Sequence, residues 1–95
     1  MKVSFDPVKS EKNRLNRSLP FEKAADFDMV TAKVKAVQRN GEQRLTAIGM
    51  YAGTVHFLCF QPTVEGFRVI SFRLASRRER REYEDYRQVP GYDRH

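Results

Sequence analysis

The sequence predicts an α+β fold in which helices pack on one face of an antiparallel sheet, in the order β-α-α-β-β-β-β-α. Three observations carry it. A polar, Pro-started helical segment breaks at Ser18-Leu19-Pro20. From Val30 the hydrophobic period switches to two and stays there through four runs separated by turns. Ser76-Arg77-Arg78-Glu79 then has the spacing of a capping box that opens a last helix.

The elements follow in order. Met1–Phe5 is a short edge strand. Asp6 caps a helix over 7–17, with Pro7 at the first position, where a missing N–H costs nothing. Val8 and Leu15, seven apart, mark the stripe that would rest on the rest of the fold. A second short helix is expected over 20–27, with Phe21, Ala24, Ala25 and Asp28 at i, i+3, i+4 and i+7. Val30, Ala32, Val34 and Ala36 alternate with Thr31, Lys33 and Lys35, a strand with one wet face. Asn40-Gly41 suits a two-residue hairpin turn, because both residues tolerate positive φ. Strands are expected over 44–51, 54–60 and 67–74, with turns at Ala52-Gly53 and 61–66. The nearly unbroken apolar run 54–60 reads as a central strand covered on both faces, with Cys59 as a buried core thiol. The last helix spans 77–88 and stops at Pro90-Gly91. Residues 1–89 form one domain and 90–95 a flexible tail.

Composition narrows the function. Lys and Arg number 18 against 12 Asp and Glu, a net charge of +6, so the chain attracts polyanions, nucleic acid foremost. The hydrophobic share of 40% and the aromatic share of 12% are enough for a core and argue against wholesale disorder. A lone cysteine permits no internal disulfide, and no apolar run approaches the ~18 residues of a membrane span. The N-terminus lacks a signal-peptide core, so a cytoplasmic protein with no membrane partner is expected.

Metal and cofactor chemistry find little support. The histidines are His56 and His95, no carboxylates cluster at ligand spacing, and no Gly-rich phosphate loop or nucleophile elbow is present. Arginine remains. Arg68 and Arg73 interrupt the apolar pattern of the last strand and, five apart on a regular strand, point to opposite faces; each is a snorkelling edge residue or an anion ligand. Arg77, Arg80 and Arg81 lie at i, i+3 and i+4 near a helix start, where backbone N–H groups also favour phosphate; the competing reading is a solvated helix laced with Glu79, Glu82, Glu84 and Asp85. Tyr83 and Tyr86 pack on the sheet or stack on bases. His56 is a satisfied core histidine or a general acid or base.

Three stretches give the chain a family resemblance. They are Phe5-Asp6-Pro7-x-Lys9 with Asn13 and Phe21-Glu22-x-Ala24; Arg44-x-x-Ala47-Ile48-Gly49; and, most specific, Arg68-x-Ile70-Ser71-x-Arg73-x-Ala75-x-x-x-Glu79-Arg80-x-x-Tyr83-Glu84. At these spacings the sequence resembles the BrnT toxins, a RelE/ParE-like branch of type II toxin–antitoxin systems. Phe5 stands where the family usually has Trp, and Asn16-Arg17-Ser18 where it reads Lys-His-Gly. The resemblance implies a RelE-like fold, ribonuclease activity on mRNA, inhibition of translation, and neutralisation by a BrnA-like antitoxin. It also implies contact with operator DNA only through the antitoxin complex.

The chemistry expected is metal-independent attack of a ribose 2′-OH on the adjacent phosphorus. Arg73 and Arg80 would stabilise charge, Glu79 or His56 accept the proton, and Tyr83 donate or stack. Lys9, Arg44, Arg68 and Arg77 would hold the RNA backbone. The alternatives are a non-catalytic basic module that binds RNA or antitoxin, and a scaffold whose charge merely complements an acidic partner.

Overall fold

The computed structural model describes residues 2–88. Strand β1 (Lys2–Phe5) leads into helix α1 (Pro7–Arg17) and a short 3-10 helix (Phe21–Asp26). Strands β2 (Lys33–Arg39), β3 (Glu42–Tyr51), β4 (Thr54–Pro62) and β5 (Gly66–Leu74) follow, then helix α2 (Arg77–Arg87). Met1, the stop at Pro90-Gly91 and the expected tail at 90–95 lie outside the described residues.

The five strands stand in the order β1-β5-β4-β3-β2. Strands β2 to β5 form the antiparallel meander, but β1 pairs with β5 in parallel, so the sheet is mixed rather than wholly antiparallel. The reason is topological. The helices carry the chain from one edge of the sheet to the other, and the meander returns to β1 with its fourth strand running the same way. Gly66 marks where β1 docks: a Cβ there would collide with the Lys2 backbone. Both hairpin turns use left-handed residues in pairs, Asn40 (φ 51°) with Gly41 (78°) and Ala52 (50°) with Gly53 (79°), whose twist matches the flanking strands.

The core occupies one face of the sheet. Ala47, Leu58 and Phe72 are fully buried there, packed with Leu19, Phe21, Ala24, Phe27 and Val69. The expected second helix is a 3-10 turn with i→i−3 bonds such as Phe27 N–H to Ala24 O, and it still drives Phe21 and Ala24 into the core. Strand β4 buries His56, Leu58 and Phe60 on that face and leaves Val55, Phe57 and Cys59 half-buried on the other. It is therefore not sealed on both sides, and Cys59 is no core thiol.

Helix α2 lies on the opposite face. Phe72 and Arg73 are neighbours on β5 and point to opposite faces; Phe72 is core, while Arg73 binds Glu79 of α2. The expectation of all helices on one face is corrected: the two helical layers sandwich the sheet. That opposite face is covered at one end by α2, which is also tied to β2 by Lys33 and Lys35 on Glu82, at 2.8 and 3.1 Å.

Helix α1 starts as expected, with Val8 N–H on Asp6 Oδ1 at 2.9 Å and Pro7 in the first turn, and ends at left-handed Ser18 (φ 56°). Its inward face is not the apolar stripe. Val8 and Leu15 are 66% and 67% exposed, and Ser10 is the buried residue. Polar bonds dock the helix instead. Ser10 Oγ accepts from Phe21 N–H at 2.9 Å, and Asn13 Nδ2 donates to the carbonyls of Leu19 (2.6 Å) and Phe72 (2.7 Å). Strand β2 begins at Lys33 rather than Val30, because Asp28 accepts from Val30 N–H and Thr31 N–H and fixes a turn there.

Removing a side chain that satisfies two inward carbonyls leaves both unpaired. Asn13→Ala is therefore expected to lower the stability to urea by about 2 kcal/mol. Leu15→Ala on the same helix should stay within about 0.5 kcal/mol of the parent. Denaturant midpoints of the two variants check the contrast.

Candidate functional site

Strand β5 carries one residue more than its partner. Cys59 pairs with Ser71 and Phe60 with Val69, so Ile70 is the extra residue of a β-bulge. The bulge resets the side-chain parity. Phe72, Val69 and Phe67 all face the core, and Arg68, Ser71 and Arg73 all face the other way. The sequence expectation that Arg68 and Arg73 project from opposite faces is corrected for this reason.

On the α2 face the sheet holds a cavity of about 440 Å³. Three guanidinium groups line it, from Arg39 of β2, Arg44 of β3 and Arg73 of β5, together with the hydroxyls of Thr46 and Ser71, the ring of Phe57 and the thiol of Cys59. The hairpin register explains the first two. Arg39 pairs with Glu42 and Val37 with Arg44, so Arg39 and Arg44 share a face. Burial pushes the Cys59 thiol above its ordinary pKa, although Arg44 and Arg39 pull the other way. Its uncharged form therefore dominates at neutral pH.

The three arginines differ in how they are satisfied. Arg44 Nη2 lies 3.3 Å from exposed Glu42, and Arg44 Nε is buried with no partner, alone in this among the described residues. A buried donor without an acceptor costs the fold its desolvation. Arg73 is held on three sides. Its Nη1 and Nη2 donate to Glu79 Oε1 and Oε2 at 2.8 and 3.0 Å, Nη1 reaches the Leu74 carbonyl at 3.2 Å, and the guanidinium stacks 4.1 Å above Phe57. Arg39 takes no ion pair among the described residues.

Glu79 does two things at once. Its Oε1 accepts from Ser76 N–H at 2.8 Å and its own N–H donates to Ser76 Oγ at 3.1 Å, completing the capping box the sequence predicts. The same carboxylate faces Arg73. The Arg73 hydrogen bonds, then those of Ser76, hold its pKa below the ordinary 4.5 against the opposing effect of burial.

The other expected residues fall elsewhere. Arg77 and Arg80 are exposed on α2 and line no part of the cavity; the helix contributes a counter-charge there, not guanidinium groups. The expected convergence of last-strand and last-helix arginines is thus replaced by one among β2, β3 and β5. Tyr83 is the buried residue of α2 and fixes the helix to the sheet. Arg68 is exposed beyond the bulge, opposite Gln61. Lys9 is exposed on α1, which supplies nothing to the cavity.

His56 lies on the core face, 6% exposed, with Nδ1 2.9 Å from the Thr54 carbonyl and its ring 5.0 Å from that of Tyr51. It lines a separate cavity and is not brought to Arg73 or Glu79. Sequence reading gave no site role to Arg39, Thr46 or Ser71. The Asn40-Gly41 turn held the signal for Arg39, since a two-residue turn fixes the hairpin register; the bulge that puts Ser71 on the same face as Arg68 left none.

The site is thus a basic one, in which strands β2, β3 and β5 gather three guanidinium groups and two hydroxyls on one face of the sheet. A family model described as "Ribonuclease toxin, BrnT, of type II toxin-antitoxin system" matches residues 5–79 of the 95, and the chain belongs to that family. The family is one of ribonuclease toxins, and a type II system implies a cognate antitoxin. No match was found among curated proteins or among solved structures. Among the described residues no helix is long and apolar enough to cross a membrane.

The lowered pKa of Glu79 has a consequence for stability. A carboxylate bound more tightly to its charged form in the folded chain stabilises it above the ordinary value of 4.5, and that contribution is lost as pH falls through the lowered folded value. Glu82, lowered by Lys33 and Lys35, adds in the same direction. Urea midpoints are expected to fall as pH drops through the carboxylate range. Glu79→Gln should be less stable at neutral pH and fall less steeply on acidification; parallel curves for parent and variant would refute the linkage.

Proposed function

We propose that the protein is a metal-independent endoribonuclease that cleaves mRNA in the Arg39–Arg44–Arg73 cavity and so stops translation. The reading rests on one observation above others: guanidinium groups from three strands, with two hydroxyls, converge on one cavity, and that of Arg39 takes no ion pair among the described residues. A phosphodiester brings the negative charge the three cations call for.

In the proposed reaction the ribose 2′-oxygen attacks phosphorus and the 5′-oxygen leaves, giving a 2′,3′-cyclic phosphate and a 5′-hydroxyl. No water is consumed. Arg44 and Arg73 hold the phosphoryl oxygens, whose charge grows in the transition state. A phosphate that takes over the Arg73 guanidinium loosens its two bonds to Glu79, and the freed carboxylate accepts the 2′-proton and passes it to the leaving oxygen. Glu79 is preferred to His56 in this role because His56 lines another cavity. Buried Tyr83 is given a supporting role beneath α2, not that of donor. Arg68, exposed on β5, and Arg77, exposed on α2, steer the RNA backbone, and with Lys9 and Arg80 they add to the field that attracts it.

The cognate partner proposed is a BrnA-like antitoxin, with operator DNA bound only through the pair, and the setting is the cytoplasm. A second reading, a binding module without catalysis, is favoured by one contact alone: Glu79 already neutralises Arg73.

Losing a group that stabilises transition-state charge typically costs ~10²–10³ in rate. Purified protein is expected to cleave single-stranded RNA equally with and without EDTA. Arg44→Ala and Arg73→Ala should each cut the rate by about 10²–10³, while Arg80→Ala stays within about tenfold of the parent. Folded Arg44→Ala and Arg73→Ala variants that cleave at the parental rate would defeat the assignment, and RNA shifted on a gel but left intact would select the binding module.

A further inference from the structure

On the core side of the sheet, at the end of β5, lies a second cavity of about 480 Å³ that the proposed reaction does not use. Its walls combine three chemistries. Arg17, the last residue of α1, brings a guanidinium that takes no ion pair among the described residues. Tyr51 and His56 form an aromatic wall, their rings 5.0 Å apart and edge-to-face. Leu74 stands at the rim, 59% exposed, an apolar surface that no contact among the described residues covers. The His56 ring is oriented rather than loose. Its Nδ1 must carry the proton in the 2.9 Å contact with the Thr54 carbonyl, since a carbonyl only accepts, and Nε2 of this nearly buried ring has no partner among the described residues.

A planar heterocycle satisfies the apolar rim and the polar ring together. It covers Leu74, lies against Tyr51, and offers hydrogen-bonding atoms to His56 Nε2; a phosphate one sugar away meets Arg17. The chain itself relates this cavity to the first one. Arg73 lines the arginine cavity and the next residue, Leu74, lines this one, so the two lie back to back across the end of one strand.

We propose that this cavity is a nucleotide subsite for single-stranded RNA, with the base on Leu74 and Tyr51, its polar edge at His56, and its phosphate on Arg17. The inference deepens the ribonuclease reading and rests on it for the source of the nucleotide, not for the chemistry of the pocket.

The test uses the full chain and defined probes. Adenosine 5′-monophosphate is expected to shift the NMR signals of the Leu74 methyls and the His56 ring. Adenosine should bind the same place about tenfold more weakly for want of the Arg17–phosphate contact, and inorganic phosphate should not shift Leu74. Arg17→Gln should bring the monophosphate down to the affinity of adenosine and leave adenosine unchanged. A 2′-O-methyl RNA hexamer, which cannot be cleaved, should lose at least about tenfold in affinity in Arg17→Gln and in Leu74→Ser, both changes at exposed positions.

Three results overturn the proposal: monophosphate shifts confined to Thr46 and Ser71, monophosphate affinity unchanged in Arg17→Gln, or hexamer affinity unchanged in both variants. The outcomes separate the two readings. A chain that binds nucleotide at Leu74 but leaves RNA intact sinks the cleavage reading alone. A chain that cleaves RNA with no response at Leu74 sinks the subsite alone.

Discussion

Between Val69 and Phe72, strand β5 spends one more residue than strand β4 beside it, and the character of both sheet faces follows from that insertion. Without it, a strand that buries Phe72 would turn Val69 outward and Arg68 inward, because side chains alternate strictly on a regular strand. With it, Phe67, Val69 and Phe72 all reach the core, while Arg68, Ser71 and Arg73 share the other face. The bulge also interrupts the ladder at Ile70, which lines the arginine cavity beside Ser71 and Arg73.

The Arg73–Glu79 pair joins the end of β5 to the start of α2. A bidentate guanidinium–carboxylate contact, partly shielded from water and stacked on Phe57, is stronger than the usual surface pair. It also completes the cap of α2, so one carboxylate both starts the helix and fastens it to the strand. In the proposed reaction an incoming phosphate takes the place of that carboxylate. Were the reaction to run that way, the strength of this internal pair would set how much a substrate must contribute to displace it.

Polar bonds also decide how the first helix is held. Ser10 and Asn13 face inward and the apolar Val8 and Leu15 face out, the reverse of the usual amphipathic arrangement. Asn13 can serve two carbonyls because its amide carries two hydrogens, and it links the loop after α1 to the end of β5. The helix end fixed in this way presents Arg17 to the second cavity.

By itself the sequence determined what local chemistry dictates: the Asp6-Pro7 start, the Asn40-Gly41 and Ala52-Gly53 turns, the period-two strands and the Ser76–Glu79 capping box. Each is a contact or dihedral preference reaching only a few residues along the chain. It also carried the family likeness, which spans most of these elements. Tertiary structure decided the parallel pairing of β1, the placing of α2 on the far face, the exposure of Val8 and Leu15, and the division of the candidate residues between two cavities. A one-residue bulge leaves no trace in hydrophobic periodicity, yet it reverses the facing of every residue beyond it. Which side of a sheet an arginine or histidine occupies is therefore fixed only when the strands pair.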